Sequence, residues 1–166
     1  GTTDPSLIIE YILLFFIDTA ATEKYAESAR QNHYMSNSAE SDYAALAGDV
    51  ERAVRILGGL REEGTAAALV LWSLVRETLV LVDAGIRASR DSSAAKAVQG
   101  AGVWQSRSDL YIRALKLHKP GALRRLLRLA GRADQIVKGA RPGEPWNALL
   151  DLTLALAGRP LKGAEL

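Results

Sequence analysis

Apolar residues recur three and four positions apart along nearly the whole chain, and sustained alternation of apolar and polar positions is almost absent. That period gathers side chains on one face of an α-helix rather than one face of a strand, so the pattern predicts an all-α protein. Residues 6–30 fit one or two helices, with Pro5 at a permissive early position and Leu7, Tyr11, Leu14 and Phe15 along one side. Residues 31–41 are polar, rich in Asn and Ser, and read as a loop or linker.

From residue 42 onward the punctuation sharpens. Gly48 closes one helix and Asp49 caps the next, which carries Val50, Ala53, Val54, Leu57 and Leu60 on one face. Gly58 and Gly59 lie inside that helix, where each costs roughly 1 kcal/mol relative to Ala, and this predicts close packing of another helix against them. Gly64 and Thr65 repeat the stop and cap. Residues 66–82 are apolar on most sides, through Leu69, Leu71, Trp72, Leu74, Val75, Leu79 and Val82, which predicts a central helix. Arg76 and Glu77 interrupt it, either as a pair facing solvent or by meeting partners across an interface. A short helix around 94–98 precedes Gly100 and Gly102. Three further helices follow at about 107–117, 120–138 and 145–157, the last two opened by Pro120 and Pro145, with Gly139 and Gly158 as stops. Short connections imply antiparallel neighbours in a compact bundle, preceded by an extra N-terminal helical segment. No repeat of solenoid length recurs.

A chain of 166 residues is long enough to bury a real apolar core as one domain. It has no cysteine, which removes disulfides, thiolate nucleophiles and cysteine-bearing zinc sites, and agrees with a reducing compartment, the cytoplasm. The apolar run at 7–17 holds Glu10 and covers about half the roughly 20 residues of a membrane span, and the stretch before it has no Lys or Arg to mark a secretory signal. Residues 66–82 contain Arg76 and Glu77, so no membrane association is expected. The net charge of +2 is unevenly spread, at −4 over residues 1–40, −1 over 41–100 and +7 over 101–166. A basic last third fits an anionic partner or a merely solvated face.

Catalytic parts are scarce. His33 and His118 stand in no metal-ligand spacing, and residues 58–64 lack the Lys and Ser/Thr ending of a phosphate-binding loop. The carboxylates at Glu62–Glu63 and around Glu40 and Asp42 fall at helix ends or loops. No catalytic, metal or cofactor site is expected. The helix opened by Pro120 is more informative: Leu123, Leu126, Leu127, Ala130, Ile136 and Val137 form its buried stripe. Arg124, Arg128 and Arg132 stack four apart on another face, with Arg125 beside them. Their spacing of about 6 Å makes the charges repel, so they either solubilise the face or meet an anion or an acidic neighbouring subunit. Trp104, between a Gly-rich stretch and a polar run, either anchors its loop in the core or stays exposed to stack on a base. Trp72 and Trp146 read as core anchors.

Four segments carry a resemblance: ALAGDVERAVRILGGLREEG at 45–64, LVLWSLVRETLVLV at 69–82, GVWQSRSDLYIRAL at 102–115 and ADQIVKGARPGEPWNALLDLTLALAG at 133–158. In order, spacing and type they resemble the C-terminal domain of the clamp-loader delta-subunit family of bacterial DNA polymerase III, over about residues 42–161. The resemblance implies a helical collar domain at 41–166, preceded by an unassigned helical segment and linker at 1–40 that does not match the end of the family's lid domain. In that family the collar domain packs with those of the gamma/tau and delta-prime subunits, and the assembly loads the sliding clamp on primed DNA. The parent holoenzyme is a DNA-directed DNA polymerase, while a domain of this type is not itself an enzyme and binds no nucleotide. The resemblance further implies template-DNA contacts at Trp104, Arg107, Lys138 and Arg141. Where the family uses an aromatic residue in the second of these loops, this chain has Arg141. Subunit-interface or anion-facing roles fall to Arg124, Arg125, Arg128 and Arg132. The alternative is a stand-alone nucleic-acid-binding helical domain using the Arg124, Arg128 and Arg132 face.

Overall fold

The computed structural model describes residues 34–90 and 93–159. The helices expected within residues 6–30 lie outside the described residues. Those described form seven α-helices and one 3-10 turn, with no strand among them. In chain order they are α1 (Tyr34–Leu46), α2 (Val50–Glu62), α3 (Ala67–Arg90), α4 (Ala94–Gly100), the 3-10 turn Gln105–Arg107, α5 (Ser108–Leu117), α6 (Pro120–Val137) and α7 (Pro145–Leu156). The all-α bundle expected from the periodicity is the observed fold.

Residues 31–41 were expected as a loop, but the chain is already helical from Tyr34, and α1 runs across the 40/41 boundary. The tertiary packing of the helix overrides its polar composition: Ala44, Ala45 and Leu46 at its end are at most 2% exposed, against α2 and α3. Gly48, at φ +78°, then ends the helix: the Asp49 N–H reaches back to the Ala44 carbonyl (2.9 Å) and the Gly48 N–H to Ala45 (3.0 Å). Both bonds satisfy last-turn carbonyls that have no partner within the helix, and they require the left-handed backbone that glycine adopts without steric cost. Asp49 caps α2 as expected, accepting from the Arg52 N–H at 3.1 Å. Thr65 does not cap α3. The helix begins two residues later, and the Thr65 hydroxyl is buried without a hydrogen-bond partner among the described residues.

Helix α3, about 36 Å long at 1.5 Å per residue, is the central element and touches α1, α4, α5, α6 and α7. Its Leu74 and Leu81 are fully buried, as are Leu126 of α6 and Leu149 and Leu152 of α7. Each such side chain contributes about 1.5–3 kcal/mol relative to leaving it in water. The buried Thr78 and Thr153 hydroxyls donate to the carbonyls of Leu74 and Leu149 one turn back, so these polar groups do not oppose the burial. The close packing expected at Gly58 and Gly59 is not found. Among the described residues a Cβ on Gly58 or Gly59 would meet nothing within 4 Å, so no described element packs closely there, whereas at Gly85 in α3 a Cβ would come within 2.4 Å of Leu123 Cδ1. The close approach of helices is at the α3–α6 contact, not on α2.

Candidate nucleic-acid interface

Trp104 is 80% exposed, while the residues on both sides of it are fastened. On one side Val103 packs against the core and its N–H bonds the Val98 carbonyl at 3.3 Å. On the other the Arg107 N–H donates to the Trp104 carbonyl at 2.8 Å, closing the 3-10 turn Gln105–Arg107 that leads into α5. Of the two readings of Trp104, the exposed one is the geometry found. A large indole held in solvent forgoes the burial free energy that its size would allow.

The Arg107 side chain turns inward. Its Nη1 lies 3.1 Å from Glu77 Oε1, its guanidinium carbon 5.1 Å from the Tyr43 ring and 5.5 Å from the Tyr111 ring. Glu77, 8% exposed, also accepts the Tyr111 hydroxyl. A carboxylate otherwise isolated in the apolar face of α3 thus receives two donors, and two aromatic faces flank the cation that answers it. Beside this group the Ser73 hydroxyl donates to Asp42. Burial pushes the Asp42 carboxyl well above the usual carboxylate range; the Glu77 charge adds to that, and the Ser73 bond, Arg107 and Arg76 oppose it. Helices α1, α3 and α5 are therefore joined by a polar seam made of Asp42, Tyr43, Ser73, Glu77, Arg107 and Tyr111.

The apolar period of α3 leaves Glu77 to face solvent or to find a partner, without pointing to Arg107 or Tyr111, which stand 30 and 34 residues further on. Helical periodicity says nothing about such distant pairs. Arg76 does face solvent, its guanidinium carbon 5.6 Å from the Trp72 ring. Trp72, expected as a core anchor, is only half-buried at the surface of α3, because its neighbours Leu71, Leu74 and Val75 take the inward positions. Trp146 is half-buried as well, but packs directly against the core.

The second expected contact loop follows α6. Lys138 Nζ lies 2.7 Å from Asp134 Oδ1, one turn back. Burial raises the Asp134 pKa, and the hydrogen bond and charge of Lys138 oppose the rise. Arg141 is exposed in the same loop, which Gly143 closes against Ile136: a Cβ there would come 2.9 Å from Ile136 Cδ1. Trp104 and Arg107 precede α5 and Lys138 and Arg141 lie between α6 and α7, so the two candidate contacts belong to different ends of different helices. On α6 itself Arg124 and Arg128 are exposed and Arg125 and Arg132 are half-buried, while Leu126, Leu127, Leu129, Ala130, Ala133 and Ile136 form the buried face. The basic face is thus opposite the core, as the four-residue spacing predicts.

Among the described residues no three His, Asp or Glu side chains come together to hold a metal, and no helix is long and apolar enough to cross a membrane. His118 is buried, its Nε2 2.8 Å from the Leu156 carbonyl.

Residues 41–163 match the family described as the processivity clamp loader gamma complex, DNA polymerase III C-terminal domain. The chain is also 32% identical over 118 residues to DNA polymerase III subunit delta of Escherichia coli (strain K12), an alignment covering 71% of this chain and 34% of the relative. The chain thus spans about a third of that relative's length. The family match covers most of the bundle and about three quarters of the chain, and the chain belongs to the family of C-terminal domains of the DNA polymerase III clamp-loader delta subunit.

Proposed function

We propose that this bundle is the collar of a clamp-loader delta subunit, an assembly domain that packs with the collar domains of gamma/tau and delta-prime subunits so that the complex can place a sliding clamp on primed DNA. The observation that carries the reading is that the family's C-terminal domain, matched at residues 41–163, takes in the end of α1 and all of α2 to α7. On this reading the domain acts in the bacterial cytoplasm, joins subunits rather than catalysing a reaction, and takes neither nucleotide nor cofactor.

A secondary contact with template DNA is part of the proposal. Its support is an 80% exposed tryptophan in a fastened turn, since an indole face stacks on a base of any sequence. Lys138 and Arg141 are proposed to meet phosphate in the second loop, Lys138 while also bridging Asp134. Arg124 and Arg128, exposed on α6, are proposed to meet an acidic neighbouring subunit or DNA, with Arg125 and Arg132 alongside.

Charge reversal tests this reading. Arg124→Glu with Arg128→Glu is expected to weaken subunit assembly or DNA-dependent clamp loading while circular dichroism stays unchanged. Normal assembly and normal loading would remove the basic face from the proposal. Trp104→Ala is expected to lower loading on primed DNA without preventing assembly. The exposure of Arg124 and Arg128 also suits a second reading, a domain that binds single strands without partners; it predicts DNA affinity of the lone chain that falls steeply with salt.

A further inference from the structure

We propose that Arg107 is a positioning residue rather than a phosphate ligand: locked by Glu77 against the rings of Tyr43 and Tyr111, it holds the turn that presents Trp104 to solvent. The inference rests on the reading of Trp104 as a template contact and deepens it.

An arginine three residues from an exposed tryptophan in a basic part of the chain invites the simpler view that both touch DNA. Four features of the geometry oppose that view. The Arg107 guanidinium is already in a charge-assisted hydrogen bond to a carboxylate that is 8% exposed. Releasing it to a phosphate would leave Glu77 buried with only the Tyr111 hydroxyl, a costly state for a charge. The cation also lies within 5.5 Å of two ring centroids, which strengthens its hold on this position. Finally its own N–H bonds the Trp104 carbonyl, so the residue that anchors the side chain also fixes the backbone of the tryptophan. Together with Val103 in the core, the Glu77 lock limits the turn at both ends, and a ring that is presented in one orientation loses less freedom on stacking than one on a loose loop.

The test has two parts. In the full chain labelled with 5-fluorotryptophan, the Trp104 fluorine resonance is assigned by Trp104→Phe and followed in Glu77→Gln, Arg107→Met and Arg107→Lys. The first two variants are expected to move the Trp104 resonance towards that of a free indole, with the Trp72 and Trp146 resonances in place, and Arg107→Lys is expected to restore part of the shift. Tyr111→Phe, which removes only one bond to Glu77, gives the same answer in smaller measure should a charge variant fail to fold. A Trp104 resonance unmoved by all of them would overturn the proposal.

In a clamp loader assembled with the same variants, affinity for primed DNA is then measured across a salt series. Positioning predicts that Glu77→Gln and Arg107→Met both weaken binding, by about tenfold if the stack is lost, with the salt dependence unchanged. A phosphate contact predicts the opposite sign for Glu77→Gln, because removing a negative charge would free Arg107 and tighten binding. It also predicts a salt slope lowered by about 0.7 in Arg107→Met. That pair of results would overturn the proposal. Should Trp104→Ala leave DNA affinity unchanged while the fluorine response persists, the template-contact reading fails and the Glu77–Arg107 lock on the turn stands.

Discussion

His118 Nε2 lies 2.8 Å from the carbonyl oxygen of Leu156, so the residue after α5 supplies a donor to the last residue of α7. That carbonyl has no partner within its own helix, and the bond satisfies it while burying the imidazole to 6% exposure. Burial pushes the His118 pKa below its ordinary 6.5, with the carbonyl bond opposing in part. The unfolded chain therefore takes up a proton before the folded one does. Stability from this site is present above about pH 6.5 and is lost as pH falls through the lower folded value. Thermal melts followed by circular dichroism from pH 7.5 to 5 should show a falling Tm that His118→Gln, which keeps a donor but does not titrate, makes shallower. Parallel curves for the two proteins would contradict the buried neutral imidazole.

Asp42 behaves with the opposite sign. Its pKa is raised mainly by burial, so the folded chain holds the proton more tightly than the unfolded one, and the favourable contribution is complete below the ordinary 3.8 and lost as pH rises through the folded value. Asp42→Asn keeps the shape without the charge. The variant should be more stable than the parent at pH 8, on the order of 1 kcal/mol, with the difference shrinking towards pH 4. Urea denaturation at the two pH values measures it; a variant less stable at pH 8 than at pH 4, relative to the parent, would rule this out.

Gly85 and Leu123 mark a close approach of α3 and α6, where an added Cβ would sit 2.4 Å from Leu123 Cδ1. Leu115 Cδ2 stands at 3.5 Å from the same point, which limits where Leu123 can move. Gly85→Leu should destabilise the bundle by about 1–3 kcal/mol through overpacking. Chemical denaturation provides the check, and an unchanged midpoint would show that the two helices separate freely.

Gly58 and Gly59 present the reverse case. Both sit in α2 with negative φ, and a Cβ on either meets open space. Alanine at each position should raise the stability of the chain by roughly 0.5–1 kcal/mol, because it narrows the unfolded ensemble and suits a helix. If a neighbouring subunit's helix approaches α2 closely in the collar, the same double substitution weakens assembly while strengthening the chain. Denaturation and subunit binding, measured on one variant, separate the two effects.

How far the fold could be read from residues follows the kind of signal. Helices α2 and α4 to α7 were legible to within a few residues because Gly48, Gly64, Gly139 and Gly158 all take positive φ at helix ends and Pro120 and Pro145 open α6 and α7. Helix α1 was not legible, since its first half has no apolar period and its helical state depends on the packing of Ala44, Ala45 and Leu46. The polar run after Trp104 left its ring between the core and solvent, and the Glu77–Arg107 lock was not legible at all. It joins a charge whose period allows either solvent or a partner to a residue at the start of another helix, and only the crossing of α3 and α5 brings them together. Trp72 misled for a related reason: on a helix apolar nearly all round, periodicity does not tell which apolar residue is left at the surface.

The central claim is that this domain assembles subunits. Light scattering after size-exclusion chromatography of the chain mixed with purified gamma and delta-prime subunits tests it most directly. A co-eluting complex of defined stoichiometry is the predicted result. A chain that stays monomeric and ignores both partners, even with the remaining delta domains restored, would contradict the account.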